Sequence, residues 1–310
     1  MGFESVKYTL AAIWRNGRYL YWWKNRFIEL ILSKILFRSN DGTYILNEDW
    51  NNLIILDACR YDIFEEEIKR RNLKGKLEHR ISRGTDTPTF LIENFGDGKF
   101  NDIVYVTANP FVNKFLKDKF YKIIPVWDKG WSDQYRTVLP STVYEYTLKA
   151  LAKYPDKRLI IHFMQPHHPF IALGDIGDEG FRSHIVSTQT GERTSRDVTV
   201  WDLLERGKIS KEKVWWGYKK NLKLVMPYVE KLINILPGRT VVTSDHGNAI
   251  GEYIHSLIPL RVYGHPSGVR IEPLVKVPWF IVESKDKDRY NIEKELIAIG
   301  IKKLKQDKKI

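Results

Sequence analysis

Two apolar runs that end in carboxylates carry the strongest chemical signal in this chain. Thr240-Val241-Val242-Thr243-Ser244-Asp245-His246-Gly247-Asn248 delivers an adjacent carboxylate and imidazole to a glycine, where the chain can turn sharply. A buried strand ending this way can hold a divalent metal at a sheet edge. Taken alone, the pair also fits a capped turn beside an ion pair. Far upstream, Leu53-Ile54-Ile55-Leu56-Asp57 ends in the same manner. Ligands of an open α/β sheet gather beyond the carboxyl ends of the strands, so Asp57 is placed to bind a cation. It can equally cap the next helix, a role open to Asp62 as well.

Three other segments carry groups that could share such a site. In Ser82-Arg83-Gly84-Thr85-Asp86-Thr87-Pro88, the glycine permits an unusual backbone and Pro88 suits the first turn of a helix. A hydroxyl at a helix N-terminus sits in a positive field, and a metal there would make it a nucleophile. Thr85, directly after Gly84, is the expected nucleophile and Thr87 the expected cap; plain capping by either is the alternative. His167 and His168 follow an apolar strand and lie between prolines. They point in different directions, so only one is expected to face the site; a surface-loop position is the alternative for either. His265, between Gly264 and Pro266, has a restricted backbone. That suits a ligand, a general acid or a buried turn. Arg60 can hold an anion or pair with a neighbouring acid.

Positioning these groups requires a sheet. Strands are expected at 53–56, 103–107, 159–164, 239–243 and 277–282, and helices at 63–71, 142–153 and 214–236, with Pro227 a possible kink. The alternation predicts an α/β fold: a mostly parallel central sheet with helices on both faces. Residues 174–210 are polar and weakly periodic, and read as a long excursion or lid. The expected organisation is a basic, aromatic helical segment at 1–48, a catalytic domain at 49–290, and a helix with a lysine-rich tail at 291–310.

The chain has 310 residues, 43% hydrophobic and 28% charged, enough for a folded α/β domain. Its single cysteine, Cys59, excludes an internal disulfide framework and any multi-cysteine metal site. A net charge of +12 favours anionic partners. No zinc finger, helix-turn-helix or RNA-binding signature points to nucleic acid. No secretory signal and no spanning segment of roughly 20 apolar residues is evident, so the expected location is cytoplasmic. Between residues 8 and 38, Trp14, Trp22, Trp23 and Phe27 interleave with Arg15, Arg18, Lys24 and Arg26. Such a segment either packs its aromatics on the domain or lies peripherally on an anionic membrane, here its inner face.

In order and spacing, these pieces resemble the alkaline phosphatase superfamily, most closely its sulfatase-like branch, from about Asn52 to Trp279. The resemblance implies metal-dependent attack on a phosphate or sulfate ester by a side-chain nucleophile. Asp57, Asp245 and His246 match the family's metal ligands, and Thr85 matches its nucleophile, which also contacts the metal. His168 or His167 resembles its substrate-contacting histidine, and His265 its late histidine, which binds metal or assists a leaving group. Arg60 would contact the anion.

Two departures refine the expectation. Family sulfatases convert a Cys or Ser within Cys/Ser-x-Pro-x-Arg to formylglycine; a threonine cannot be converted, which favours phosphate over sulfate. The Asp-x-x-x-His pair of two-metal members is also missing, which favours one ion, as in the phosphoglycerol and phosphoethanolamine transferases. Zinc or manganese is expected, with calcium or magnesium possible; a second ion near His162, His167 or His265 stays open. The expected function is a metal-dependent hydrolase or transferase acting on a phosphate-type ester of a glycan or lipid. A sulfatase, or an inactive glycan- or lipid-binding member, is the alternative.

Overall fold

Asn52–Leu56 (β1) is buried at every position, as a strand covered on both faces must be. In the computed structural model, which describes residues 13–14, 17–178, 198–284 and 297, it sits at the centre of a seven-stranded sheet. The other strands of that sheet are Lys76–Ile81 (β2), Phe100–Thr107 (β3), Phe120–Pro125 (β4), Arg158–Phe163 (β7), Gly238–Thr243 (β8) and Lys276–Ser284 (β11). Trp131–Ser132 (β5) pairs with Thr137–Val138 (β6), and Ala249–His255 (β9) with Ile258–Gly264 (β10), in two small ribbons. The order across the large sheet is β2-β11-β8-β1-β7-β3-β4. β1 runs parallel to β7 and β8, and β3 runs parallel to β7 and β4. β11 is antiparallel to β8 and β2.

Alternate side chains of β1 enter opposite cores. Ile54 and Leu56 pack with Val104, Ile161 and Val242 on the face covered by helices Tyr61–Arg71, Pro140–Lys153 and Lys211–Ile235. Leu53 and Ile55 pack with Phe90, Phe95 and Tyr105 on the face covered by Thr87–Phe95 and Phe111–Leu116. The sheet is therefore mostly parallel with helices on both faces, as the sequence predicts. The helix through Pro227 runs unbroken. β2, β4 and the β9–β10 hairpin escape the sequence reading. β2 is a polar edge strand, Lys-Leu-Glu-His-Arg-Ile, whose ladder is completed only by β11 nearly 200 residues later.

The N-terminal segment forms a continuous helical run: Leu20–Phe27, a π-helical turn over Ile28–Leu32, and Ser33–Leu36. Ile28 docks in a small core with Ala249, Ile254, Val262 and Val269, and Leu32, Leu36 and Phe37 pack against it. Lys24 donates to the Arg261 carbonyl and pairs with Glu205. One side of this run thus belongs to the domain. Among the described residues, no helix is long and apolar enough to cross a membrane. The 291–310 tail apart from Ile297, residues 179–197 of the polar excursion, and Arg15 lie outside the described residues.

Glu67 illustrates how the helices are held. Its buried carboxylate accepts from Arg70 Nε (2.9 Å) and Arg71 Nε (2.6 Å), and Arg71 reaches on to Glu230 of the long helix at 2.5 Å. Burial opposes ionisation of Glu67, but the two arginines outweigh it and its pKa is lowered. A depressed carboxylate pKa stabilises the fold above the unfolded value, and the gain disappears as pH falls through the folded value. Glu67→Gln is expected to cost about 1 kcal/mol at neutral pH, because it removes the charge that pairs with exposed Arg70 and partly buried Arg71. In thermal melts, the gap between variant and wild type should narrow as pH falls below the ordinary glutamate range. A gap unchanged by acid would show that the ion pairs contribute little.

Candidate active site

Every parallel strand near the middle of the sheet ends in a polar group at the same edge. Asp57 follows β1, Asp245 and His246 follow β8, His162 lies in β7, and Asn109 follows β3. All five are fully buried. Asp57, Asp245 and His246 each offer a ligand atom, and these atoms lie within 4.8 Å of one another. His246 Nε2 is 3.5 Å from Asp245 Oδ2 and 3.9 Å from Asp57 Oδ1. Its Nδ1 lies 2.8 Å from the Gly247 carbonyl. That contact places the ring proton on Nδ1 and turns the lone pair of Nε2 towards the carboxylates.

The loops leave little freedom for this arrangement. Asp245 Oδ1 accepts from Ala58 N and His246 N, both at 2.9 Å. Ser244 Oγ bridges the two strand ends, accepting from Cys59 N and donating to a carbonyl, either that of Leu56 or that of His246. Ala58 adopts a left-handed conformation (φ 58°), and Tyr218 from the long helix donates to its carbonyl. Gly247 turns away beside Pro273: a Cβ at Gly247 would lie 2.0 Å from the Pro273 carbonyl oxygen. Gly84 is needed for the same steric reason, because its Cβ would lie 2.4 Å from Phe90 N. Close packing therefore fixes glycine at both positions.

Burying two carboxylates together is costly unless a cation or proton compensates. Burial and the neighbouring Asp245 push the Asp57 pKa well above the carboxylate range, against the Asn109 hydrogen bond at 2.7 Å. Burial also disfavours the charged form of Asp245, but His246, His162, Ala58 N and Thr87 outweigh it and hold that pKa low. Burial lowers His162 to about 4 despite the attraction of Asp245, so its imidazole is neutral at pH 7. Asp57 Oδ1 and His162 Nε2 have no hydrogen-bond partner among the described residues. Two carboxylates, a neutral imidazole lone pair and an unsatisfied carboxylate oxygen at one point fit a divalent ion with nitrogen and oxygen ligands.

The hydroxyl at this cluster belongs to Thr87. Thr87 Oγ1 donates to Asp245 Oδ2 at 2.7 Å, lies 3.5 Å from His246 Nε2, and accepts from Asn109 Nδ2 at 3.4 Å. Thr85, the residue the sequence favours, instead accepts from Gly268 N at 2.9 Å. The reason is the helix cap. Asp86 is the N-cap: it accepts from Thr89 N at 2.7 Å and forms a capping box with the Thr89 hydroxyl. Thr87 is thereby relieved of capping and becomes the first helical residue, with its hydroxyl in the positive field of the helix end.

The other expected residues divide. Arg60 pairs with Asp62 (2.7 Å) and Glu252 (2.6 Å) and donates to the Asn248 carbonyl (3.1 Å). His168 is buried with its Nδ1 2.8 Å from Asp178 Oδ2, and its ring stacks on that of His167. His167 Nδ1 lies 2.6 Å from the His168 carbonyl, and both histidines are buried. His265 is half-buried; its ring centroid lies 4.6 Å from that of His246 and 5.1 Å from that of His167. Its Nδ1 contacts Asn248 Oδ1 at 2.7 Å. Sequence reading passed over Asn109 and did not foresee Thr87 at the cluster. The Ala108-Asn109-Pro110 loop directly after a strand was the available signal for Asn109.

No family model and no curated protein matches this chain. It is similar to several solved structures. One is the integral membrane lipooligosaccharide phosphoethanolamine transferase A of Neisseria meningitidis, at 13% identity over 74% of this chain, with a TM-score of 0.46. Another is the zinc complex of the C-terminal periplasmic domain of EcEptC from Escherichia coli, at 12% identity over 77% of this chain and 74% of that one, with a TM-score of 0.39. A third is a protein of the alkaline phosphatase superfamily from Vibrio parahaemolyticus, at 11% identity over 88% of this chain and 71% of that one, with a TM-score of 0.38. The chain spans 47% of the length of the Neisseria transferase.

Proposed function

We propose that this protein is a metal-dependent enzyme that cleaves or transfers a phosphate-type ester group, with Thr87 as nucleophile. The observation that carries this reading is the Thr87 hydroxyl, 2.7 Å from Asp245 Oδ2 at a helix N-terminus and against the Asp57–Asp245–His246 cluster. One divalent ion, zinc or manganese, held by those three residues would lower the hydroxyl's pKa and neutralise charge on the transferred oxygens. Asp245 Oδ2 accepts the proton that Thr87 loses. Thr87 Oγ1 forms a bond to phosphorus as the bond from phosphorus to the leaving oxygen breaks. Asn109 Nδ2 orients the attacking oxygen and steadies Asp57. His265, the half-buried imidazole beside His246, protonates the leaving alcohol. Water or an acceptor alcohol then takes the group from Thr87, which gives hydrolysis or transfer.

Metal analysis of the purified protein, followed by a screen of chromogenic phosphomonoesters, phosphodiesters and sulfate esters, tests the reading. The expected result is about one equivalent of metal and phosphate-ester turnover that a chelator abolishes. Faster turnover of the sulfate ester would replace it with a sulfatase that uses an unmodified threonine. Neither metal nor turnover would leave a binding protein.

A further inference from the structure

Both sides of the N-terminal helical run are apolar, and among the described residues only one is covered. Ile28, Leu32 and Leu36 face the hairpin core. Leu20, Trp23, Phe27, Leu30, Ile31 and Ile35 are between 45% and 85% exposed. At helical spacing these six form a stripe of well over 100° on the side away from the domain. A soluble surface helix places charge there instead, so the stripe calls for an occupant. Docking through Ile28, with Lys24 tied to Glu205 and to the Arg261 carbonyl, holds the stripe in place on the domain.

Charge selects the occupant. Between Arg18 and Arg38 the only acid is Glu29, and it is paired with Arg26 at 2.6 Å. Arg18, Lys34 and Arg38 are exposed along the run. A second copy would set these cations and a net charge of +12 against their like. An anionic bilayer accepts both features: aliphatic side chains and Trp23 enter the headgroup and acyl boundary, and the basic groups meet lipid phosphates. The run also lies beside the candidate active site. A Cβ at Gly268 would sit 3.3 Å from Ser33 Oγ, and Gly268 N donates to Thr85, two residues before Thr87.

We propose that the exposed face of residues 20–35 lies in the surface of an anionic bilayer as an in-plane anchor that holds the catalytic face next to the lipid headgroups. Binding of this kind does not depend on the reaction proposed above. The test uses the full chain with vesicles of phosphatidylcholine alone or mixed with phosphatidylglycerol, read by co-sedimentation and tryptophan emission. Wild type is expected to sediment with the mixed vesicles, less so at high salt. The double substitution Leu30→Glu with Ile31→Glu is expected to weaken binding about tenfold or more while keeping the wild-type melting temperature. Ile35→Glu alone serves as a milder second variant. Lys34→Glu with Arg38→Glu should remove the preference for anionic lipid. Wild type left in the supernatant, or variants that bind like wild type, would overturn the proposal. So would concentration-dependent dimers in analytical ultracentrifugation that Leu30→Glu with Ile31→Glu abolishes, because the face would then belong to a second copy.

Discussion

Asp245→Asn is expected to yield a folded protein that no longer retains a divalent metal and has lost turnover by a factor on the order of a thousand or more. Asp245 does two jobs with its two oxygens. Oδ1 accepts the Ala58 and His246 amide protons, and Oδ2 accepts the Thr87 hydroxyl proton. Asparagine can keep its single oxygen towards the two amides, which preserves the loop. Its NH2 group then points at Thr87 and offers a proton where one was accepted. The variant thus loses a ligand charge and the proton acceptor together. Without metal it should be somewhat less stable than wild type, because the surroundings that hold the Asp245 pKa low favour its charged form. Melting temperatures with added zinc and with chelator separate the roles. Wild type should melt higher in zinc, since a ligand that binds only the folded state stabilises it. The variant should melt alike in both. Stoichiometric metal retained by the variant would remove Asp245 from the ligand set.

Thr87→Ala is expected to lower turnover at least as much, on the order of ten-thousandfold, while the metal stays bound. The same change at Thr85 should cost about 1 kcal/mol of stability through the lost Gly268 hydrogen bond, and turnover should stay within a few fold. Thr87→Ser keeps the hydroxyl and should recover a measurable part of the activity. Trapping a phosphorylated enzyme and locating the modified peptide reads the role directly. Turnover lost with Thr85→Ala and kept with Thr87→Ala would return the nucleophile to Thr85. Because the two residues lie two positions apart at one helix start, loss of activity from general disruption would appear in both variants and in the metal content.

The sequence alone determined the central strands and the acids at their ends. Leu53–Leu56 and Val241–Thr243 are short apolar runs because parallel strands at the sheet centre are buried on both faces. A charged residue directly after such a run must lie at the sheet's carboxyl edge, which made Asp57, Asp245 and His246 legible as a cluster. Which threonine joins them was not legible, since Thr85 and Thr87 both flank a helix start. The Asp86–Thr89 capping box settles it by setting where the first turn begins, and therefore which hydroxyl faces β8. Tertiary structure also set the partners of Arg60. Its partner Glu252 lies on a hairpin 192 residues away, and in sequence a cation that binds substrate looks the same as one neutralised by a carboxylate. Nor could the N-terminal aromatics be divided between core and surface from their spacing. The face that Ile28 buries exists only because β9 and β10 fold into a hairpin beneath it, and burial of an amphipathic helix depends on the surface that meets it.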